Sequence, residues 1–319
     1  MELQTKVPIQ PSDIPIDYES EVLLLGSCFV ENIGGKLDYF KFQTLQNPFG
    51  ILFHPLAIEN LIKRAIGEQF YQGDEVFQQE GIWRCFDAHS DVRSNDPNVL
   101  VEMLNQRLVE TKRRLEGSSH IIITLGTAWV YELASTKKVV ANCHKVPQKE
   151  FHKKLLSIAE IESRLHNLVD LVQQVNPKVQ VIFTISPVRH LKDGFVENQL
   201  SKAHLITAVH QLLSSRAPSR DAHYFPSYEI MMDELRDYRF YEKDMVHPNE
   251  LAVEYIWEKF KSVWISEDSR SVMDEVEALQ KGLLHRPFNP DSEAHQKFKT
   301  SLRSKITYLQ ERYSFMKFE

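Results

Sequence analysis

The stretch EVLLLGSCF, residues 21–29, decides how the rest of the chain is read. EVLLLG is an almost continuously apolar run of six, the length expected of a strand buried on both faces. Two small polar residues, Ser27 and Cys28, follow it at once, and a helical pattern covers 28–39. A doubly buried strand that hands over directly to a helix is the opening of a parallel α/β unit.

Comparable runs recur downstream. KFQTLQ (41–46), HIIITLG (120–126), VQVIFTIS (179–186) and HYFPSYE (223–229) read as further strands. Helical periodicity covers 55–66, 97–115, 158–175, 198–215 and 249–265. The alternation predicts a three-layer α/β/α sandwich around a mostly parallel five-stranded sheet with right-handed crossovers. Residues 1–20, with three prolines, read as an extended lead-in; 21–266 form the main domain. Residues 267–319 read as a C-terminal helical extension packed on it, its second helix capped by Asp291 or Ser292. About 50 residues rarely bury a sufficient core alone. Residues 67–96 read as a long loop and 127–143 as a small inserted hairpin, and both are placed to wall a pocket.

Composition narrows the function. The chain has 319 residues, 42% of them hydrophobic, which supplies a sizeable core. Its 44 acidic and 38 basic residues give a net charge of −6 without a basic stripe, so no nucleic-acid partner is expected. The sequence has no leader pattern and no run of 18 apolar residues, so a cytoplasmic protein without a membrane partner is expected. Three cysteines without CxxC spacing fit reduced thiols. With no HExxH, no GxGxxG and no GxxxxGK[ST], neither a metal nor an organic cofactor is expected. Nothing in the sequence fixes the oligomeric state.

Ligands of parallel sheets bind beyond the C-terminal strand ends. Those ends are Gly26-Ser27-Cys28, Asn47-Pro48-Phe49-Gly50, Gly126-Thr127-Ala128-Trp129 and Ser186-Pro187-Val188-Arg189-His190. Ser27 suits two roles there, a helix cap or a nucleophile whose oxyanion meets the helix N-terminus. Cys28 is either a small core residue or a thiolate at that terminus. A serine needs a base, and DMVHPN supplies Asp244 and His247 three residues apart. In such a turn the carboxylate can hold the imidazole Nδ1–H and leave Nε2 free. By itself DxxH describes many surface turns equally well. His89 and Ser90 are sequence neighbours that point apart, so His89 is expected to line a pocket and not to pair with Ser90. Cys143-His144-Lys145 reads as an ordinary turn or as an anion contact. Arg189 and His190 end a strand at the functional edge, where one of them is expected to bind ligand.

Taken together and in this order, these segments resemble the SGNH (GDSL-like) esterase superfamily. LLLGSCFVENIG, NPFGILFHP, GTAWVYE, ANCHK, SPVRH and DMVHPN look like segments of its GSCFA family. The resemblance spans roughly residues 20–265 and implies a flavodoxin-like sheet and acyl transfer through an acyl-serine. Residue by residue it implies Ser27 as nucleophile, His247 as general base and then acid, and Asp244 as the carboxylate that orients it. It also implies an oxyanion hole made by the N–H groups of Gly50 and of the Ser27–Cys28 turn. The first block lacks the usual Asp between Gly26 and Ser27, and the third block, Gly-x-Asn-Asp in the superfamily, reads Gly126-Thr127-Ala128-Trp129 here. Thr127 is the nearest substitute for that asparagine, with Asn47 and Asn142 as alternatives. The implied substrate is a small O-acyl ester, acetyl in the first instance and carried by carbohydrate. Two other readings stay open: a ligand-binding protein that keeps the fold without the chemistry, and a thiol enzyme using Cys28.

Overall fold

The computed structural model describes residues 4–217 and 221–318. In chain order the first half runs β1 (Glu21–Gly26), α1 (Phe29–Tyr39), β2 (Gln43–Gln46), α2 (Pro55–Ile66), β3 (Val76–Gln79), β4 (Ile82–Cys85), α3 (Pro97–Gly117) and β5 (His120–Leu125). The second half runs β6 (Trp129–Leu133), β7 (Val139–Val140), β8 (Phe151–Leu155), α4 (Ile158–Val175), β9 (Gln180–Ile185), α5 (Phe195–Arg216), β10 (Ala222–Phe225) and the single turn α6 (Ser227–Glu229). Three helices close the chain: α7 (Glu250–Trp264), α8 (Glu267–Leu284) and α9 (Glu293–Arg312).

The central sheet has the order β10-β9-β5-β1-β2 and every pairing in it is parallel. Renumbered within the sheet this is the flavodoxin-like 2-1-3-4-5 order, whose direction reverses between β1 and β5. Alternate side chains of β1 divide between two cores. Leu23 and Leu25 pack with Ile121, Ile123, Val181 and Phe183 beneath α2 to α5. Val22 and Leu24 join Ile122 and Ile182 beneath α1, α7 and α8. Val22 to Leu25 have no exposed surface, and each such side chain contributes roughly 1.5–3 kcal/mol by burial.

α8 and α9 pack on the α1/α7 side: Val272, Met273, Val276 and Leu279 enter the second core with Leu309. The lead-in is pinned to the same side, where Ser12 N–H donates to Val263 O at 2.8 Å and Ile16 N–H to Trp264 O at 2.6 Å. Among the described residues no helix is long and apolar enough to cross a membrane.

Three segments differ from the sequence-based expectation. HYFPSYE stops being a strand at Phe225, because Pro226 has no N–H for the ladder and residues 227–229 wind into α6. The 67–96 loop contains the β3–β4 hairpin, closed by Glu80 and Gly81, both at positive φ. The hairpin after β5 gains a third strand, β8, antiparallel to β6. FHKKL gives no strand signal because His152, Lys153 and Lys154 are all exposed and no alternation marks a buried face.

Candidate active site

Strand β1 ends at Gly26, whose φ is 134°, and a Cβ built there would fall 2.1 Å from Thr124 O on β5. Only glycine allows this approach. The tight exit leaves Ser27 at the β1/β5 switch point, fully buried, its N–H donating to Thr124 O at 3.0 Å. Ser27 Oγ makes no hydrogen bond, so the hydroxyl does not cap α1.

The loop between β2 and α2 runs along the same edge. Asn47 Oδ1 accepts from Gly26 N–H at 2.9 Å, Leu52 N–H donates to Gly26 O, and Phe53 O accepts from Gly126 and Thr127 N–H. Asn47 Nδ2 is buried and without a partner. Gly50 lies in this loop at φ 70°, with the His89 Cβ against it. Its N–H closes a turn on Asn47 O at 2.7 Å, so it is not free as the oxyanion donor the sequence implied. Burial raises the pKa of the adjacent Cys28 thiol, and the N–H groups of Cys28 and Phe29 oppose the rise.

Other expected contacts are also occupied. Thr127 Oγ1 bonds Ser201 Oγ at 3.1 Å and accepts from Trp129 N–H at 3.0 Å, which makes it part of the turn between β5 and β6 and not a spare donor. Asn142 Oδ1 accepts from His144 N–H, which makes 142–145 an ordinary turn. Arg189 turns away from the strand ends: its guanidinium lies over the Tyr241 ring and reaches Met232 Sδ at 3.6 Å. His89 pairs with Asp91 at 3.1 Å and not with Ser90.

The neighbour of Arg189 is the one that turns inward. His190 packs edge-on against Phe53, and its backbone N–H is held by Asn198 Oδ1 at 2.9 Å. A Cβ placed on Gly126 would meet Ser27 Cβ at 3.0 Å and His190 Nε2 at 3.1 Å, so the serine and the imidazole converge on one face of this glycine. His190 Nε2 is buried and unpartnered. Burial pushes its pKa down to about 3, and the charges of Lys202 and His247 push the same way.

Lys202 lies beneath. It is fully buried on α5, and its Nζ donates to Gly126 O and Ser186 O, both at 2.7 Å. It ties the ends of β5 and β9 together. Burial depresses its pKa to about 7, opposed by the nearby Cys28. The sequence left His190 as one of two candidates beside Arg189 and did not mark Lys202 at all. A signal existed for the second, because Asn198, Ser201 and Lys202 occupy the same 3.6-residue stripe as Leu205, Val209 and Leu212. Polar residues at the head of an apolar stripe mark a buried polar cluster.

The loop before α7 brings the remaining pair. Asp244 accepts from Val246 N–H at 2.9 Å, from His247 N–H at 3.0 Å and from His247 Nδ1 at 2.6 Å. These bonds lower the Asp244 pKa to about 2, the backbone N–H of His247 contributing most. Both side chains are about half exposed, 50% for His247 and 49% for Asp244. With Nδ1 engaged, His247 Nε2 points outward from the pair, and its charge acts on His190, but it is not bonded to Ser27 Oγ.

A cavity of about 710 Å³ adjoins the site between the β6–β8 sheet and the loop after β9. Phe53, Thr127, Trp129, Asn142, Lys145 and His190 are among its walls. His54 fixes the far wall: its Nδ1 accepts from Ala57 N–H at the start of α2 and its Nε2 reaches Val140 O on β7 at 3.0 Å. Burial holds this ring neutral, with a pKa near 4. No group of three or more potential metal ligands occurs among the described residues.

The architecture is a doubly wound α/β sheet with a buried serine at its switch point and an Asp–His pair on the final domain loop. The chain belongs to the GSCFA family, which it matches over residues 21–260, and residues 276–319 match the C-terminal domain of GSCFA domain proteins. No curated protein matches it. Among solved structures it is similar to an acetyl esterase mutant with acetate ion, at 9% identity and TM-score 0.38, covering 82% of this chain and 99% of that one. It is also similar to the acetyl xylan esterase Est2A from Butyrivibrio proteoclasticus, at 10% identity and TM-score 0.41, covering 85% and 66%. A third, a carbohydrate esterase family 3 structure from Talaromyces cellulolyticus, has 9% identity and TM-score 0.36, covering 81% and 99%.

Proposed function

We propose that this chain is a serine esterase or acyltransferase that acts on small O-acyl esters, acetyl esters of carbohydrate first among them, through an acyl-Ser27 intermediate. One observation carries the reading. Asp244 holds His247 by Nδ1 at 2.6 Å, which leaves Nε2 as a base, while the Ser27 hydroxyl at the switch point bonds nothing else. Ser27 Oγ attacks the ester carbonyl as its proton passes to His247 Nε2, and the carbonyl π pair moves to oxygen. Collapse of the tetrahedral adduct expels the alkoxide, which takes the proton from His247. Water or a sugar hydroxyl then attacks the acyl-serine by the same route in reverse. The proton transfer requires Ser27 Oγ and His247 Nε2, which are not hydrogen-bonded to each other here, to come into contact.

The test is fluorophosphonate labelling, alongside hydrolysis of p-nitrophenyl esters and acetylated sugars, by wild type, Ser27→Ala and His247→Ala. Labelling and turnover in the wild type alone are expected. Equal activity in all three proteins would overturn the mechanism. The burial of Ser27 and the missing hydrogen bond to His247 favour a second reading, a ligand-binding protein without turnover. Saturable sugar-ester binding by a protein that no fluorophosphonate labels would select it.

A further inference from the structure

An acyl transfer at Ser27 needs hydrogen-bond donors aimed at the developing oxyanion. Two of the donors implied by the family resemblance are occupied. Ser27 N–H serves Thr124 O, and Gly50 N–H serves Asn47 O. The third block has no asparagine, and its threonine hydroxyl is bound to Ser201 and Trp129. At the end of β1 three buried polar atoms remain unpartnered among the described residues: Ser27 Oγ, Asn47 Nδ2 and His190 Nε2. A buried donor left unsatisfied destabilises the fold, so its retention beside a nucleophile calls for a ligand atom.

We propose that His190 is the oxyanion donor of this site, its Nε2–H standing where the third-block asparagine amide would stand. The proposal rests on the acyl-transfer reading of Ser27. Its geometric basis is the shared approach to Gly126, where Ser27 Cβ and His190 Nε2 lie 3.0 and 3.1 Å from the position a Cβ would take, closer than van der Waals contact allows. Asn198 and Phe53 hold the ring there from the backbone side and the ring face. A donor that must not give up its proton has to stay neutral and weakly acidic. His190 meets this condition, because burial and the Lys202 and His247 charges oppose a second proton on the ring. The same surroundings exclude it as the base, since an imidazole that protonates only near pH 3 is a poor proton acceptor at neutrality. The two imidazoles therefore divide the work, one buried and unpartnered, the other half exposed and held by a carboxylate. His247 takes and returns the serine proton; His190 hydrogen-bonds the oxygen as the Ser27–carbon bond forms and keeps its own proton throughout.

The experiment compares wild type, His190→Phe, His190→Asn and Asn47→Asp for steady-state hydrolysis of the best p-nitrophenyl or sugar ester, with melting curves for each. His190→Phe keeps a ring against Phe53 and removes the donor; it is expected to lower kcat by about 10²–10³-fold with KM within a few-fold. His190→Asn restores an amide N–H and is expected to recover part of kcat. Imidazole ¹⁵N spectra of the wild type should show His190 as the Nε2–H tautomer with no titration between pH 5 and pH 8. A His190→Phe protein that folds and keeps wild-type kcat, while Ser27→Ala is inactive, overturns the proposal and spares the esterase reading. So does loss of kcat in Asn47→Asp alone, which would assign the donor to Asn47, or an Nδ1–H tautomer. A wild type that is neither labelled nor active defeats the acyl-transfer reading, and this proposal with it.

Discussion

His190 and His247 lie at one site in opposite surroundings. His190 is seated between Phe53, Gly126 and Lys202, with its Nε2 buried and unpartnered. His247 is half exposed and held by a carboxylate three residues away. The first ring is positioned by long-range packing that depends on α5, β5 and β9 together, and the second by a turn that folds on its own sequence. Low dielectric suppresses charge on His190, whereas the Asp244 carboxylate fixes the orientation of its partner through Nδ1. A fixed neutral donor belongs in the first environment and a proton carrier in the second.

The largest expected effect breaks the exposed half. Asp244→Asn removes the carboxylate and leaves an amide that can accept from the backbone N–H groups but no longer fixes the imidazole tautomer. Turnover should fall by about 10³-fold. The melting temperature should stay close to that of the wild type, because the pair is exposed and local. Unchanged kcat in this variant would show that the Asp244–His247 turn is structural.

Acid should break the buried half. His54, His144 and His190 are neutral in the fold, with pKa values pushed down by burial to about 4, 4 and 3. In the unfolded chain each protonates near the ordinary imidazole value of about 6.5. The unfolded state therefore binds more protons below that value, and stability is lost as pH falls from about 6.5 toward 4. Unfolding free energies from urea titrations across this window should fall more steeply than the about 1.4 kcal/mol per pH unit of a single group. His54→Gln should flatten the slope. A flat profile between pH 6.5 and 4 would mean that these rings are charged in the fold.

Much of the fold was legible because β1, β5 and β9 are buried on both faces and carry little besides apolar residues. The Asp244–His247 pair was equally legible, since its bonds span three residues. The occupied oxyanion donors were not. Gly50 N–H and Ser27 N–H look free in any sequence motif, and their partners, Asn47 O and Thr124 O, become visible only through backbone geometry. Lys202 was hidden differently, because its partners are the carbonyls of Gly126 and Ser186, and a carbonyl leaves no mark on the sequence. In the Arg189-His190 pair, the sequence marked both as candidates and did not say which one faces Ser27.

Lys202 gives a smaller effect that tests how tightly the site floor is sealed. Its folded pKa, near 7, lies below the ordinary lysine value, so between the two the unfolded chain holds the extra proton. Stability should rise with pH above about 7, with a slope approaching 1.4 kcal/mol per pH unit from this group. Lys202→Met should lack that component in paired urea titrations. Identical profiles would mean that water reaches the ammonium and that the floor is open.

The smallest expected effect concerns Cys28, which faces the same lysine from the nucleophile's side. Lys202 and two backbone N–H groups favour its thiolate, but burial and Glu31 outweigh them and the thiol pKa is raised. A thiol held protonated is a poor nucleophile, whatever its position at a helix start. Cys28→Ala keeps the backbone N–H and removes only the sulfur, so kcat should change by about threefold at most, and alkylation by iodoacetamide should be slow at pH 7. Should Cys28→Ala lose turnover while Ser27→Ala keeps it, the nucleophile is the sulfur. The charge of Lys202 would then be stabilising a thiolate, and His190 would no longer be needed as a donor beside Ser27.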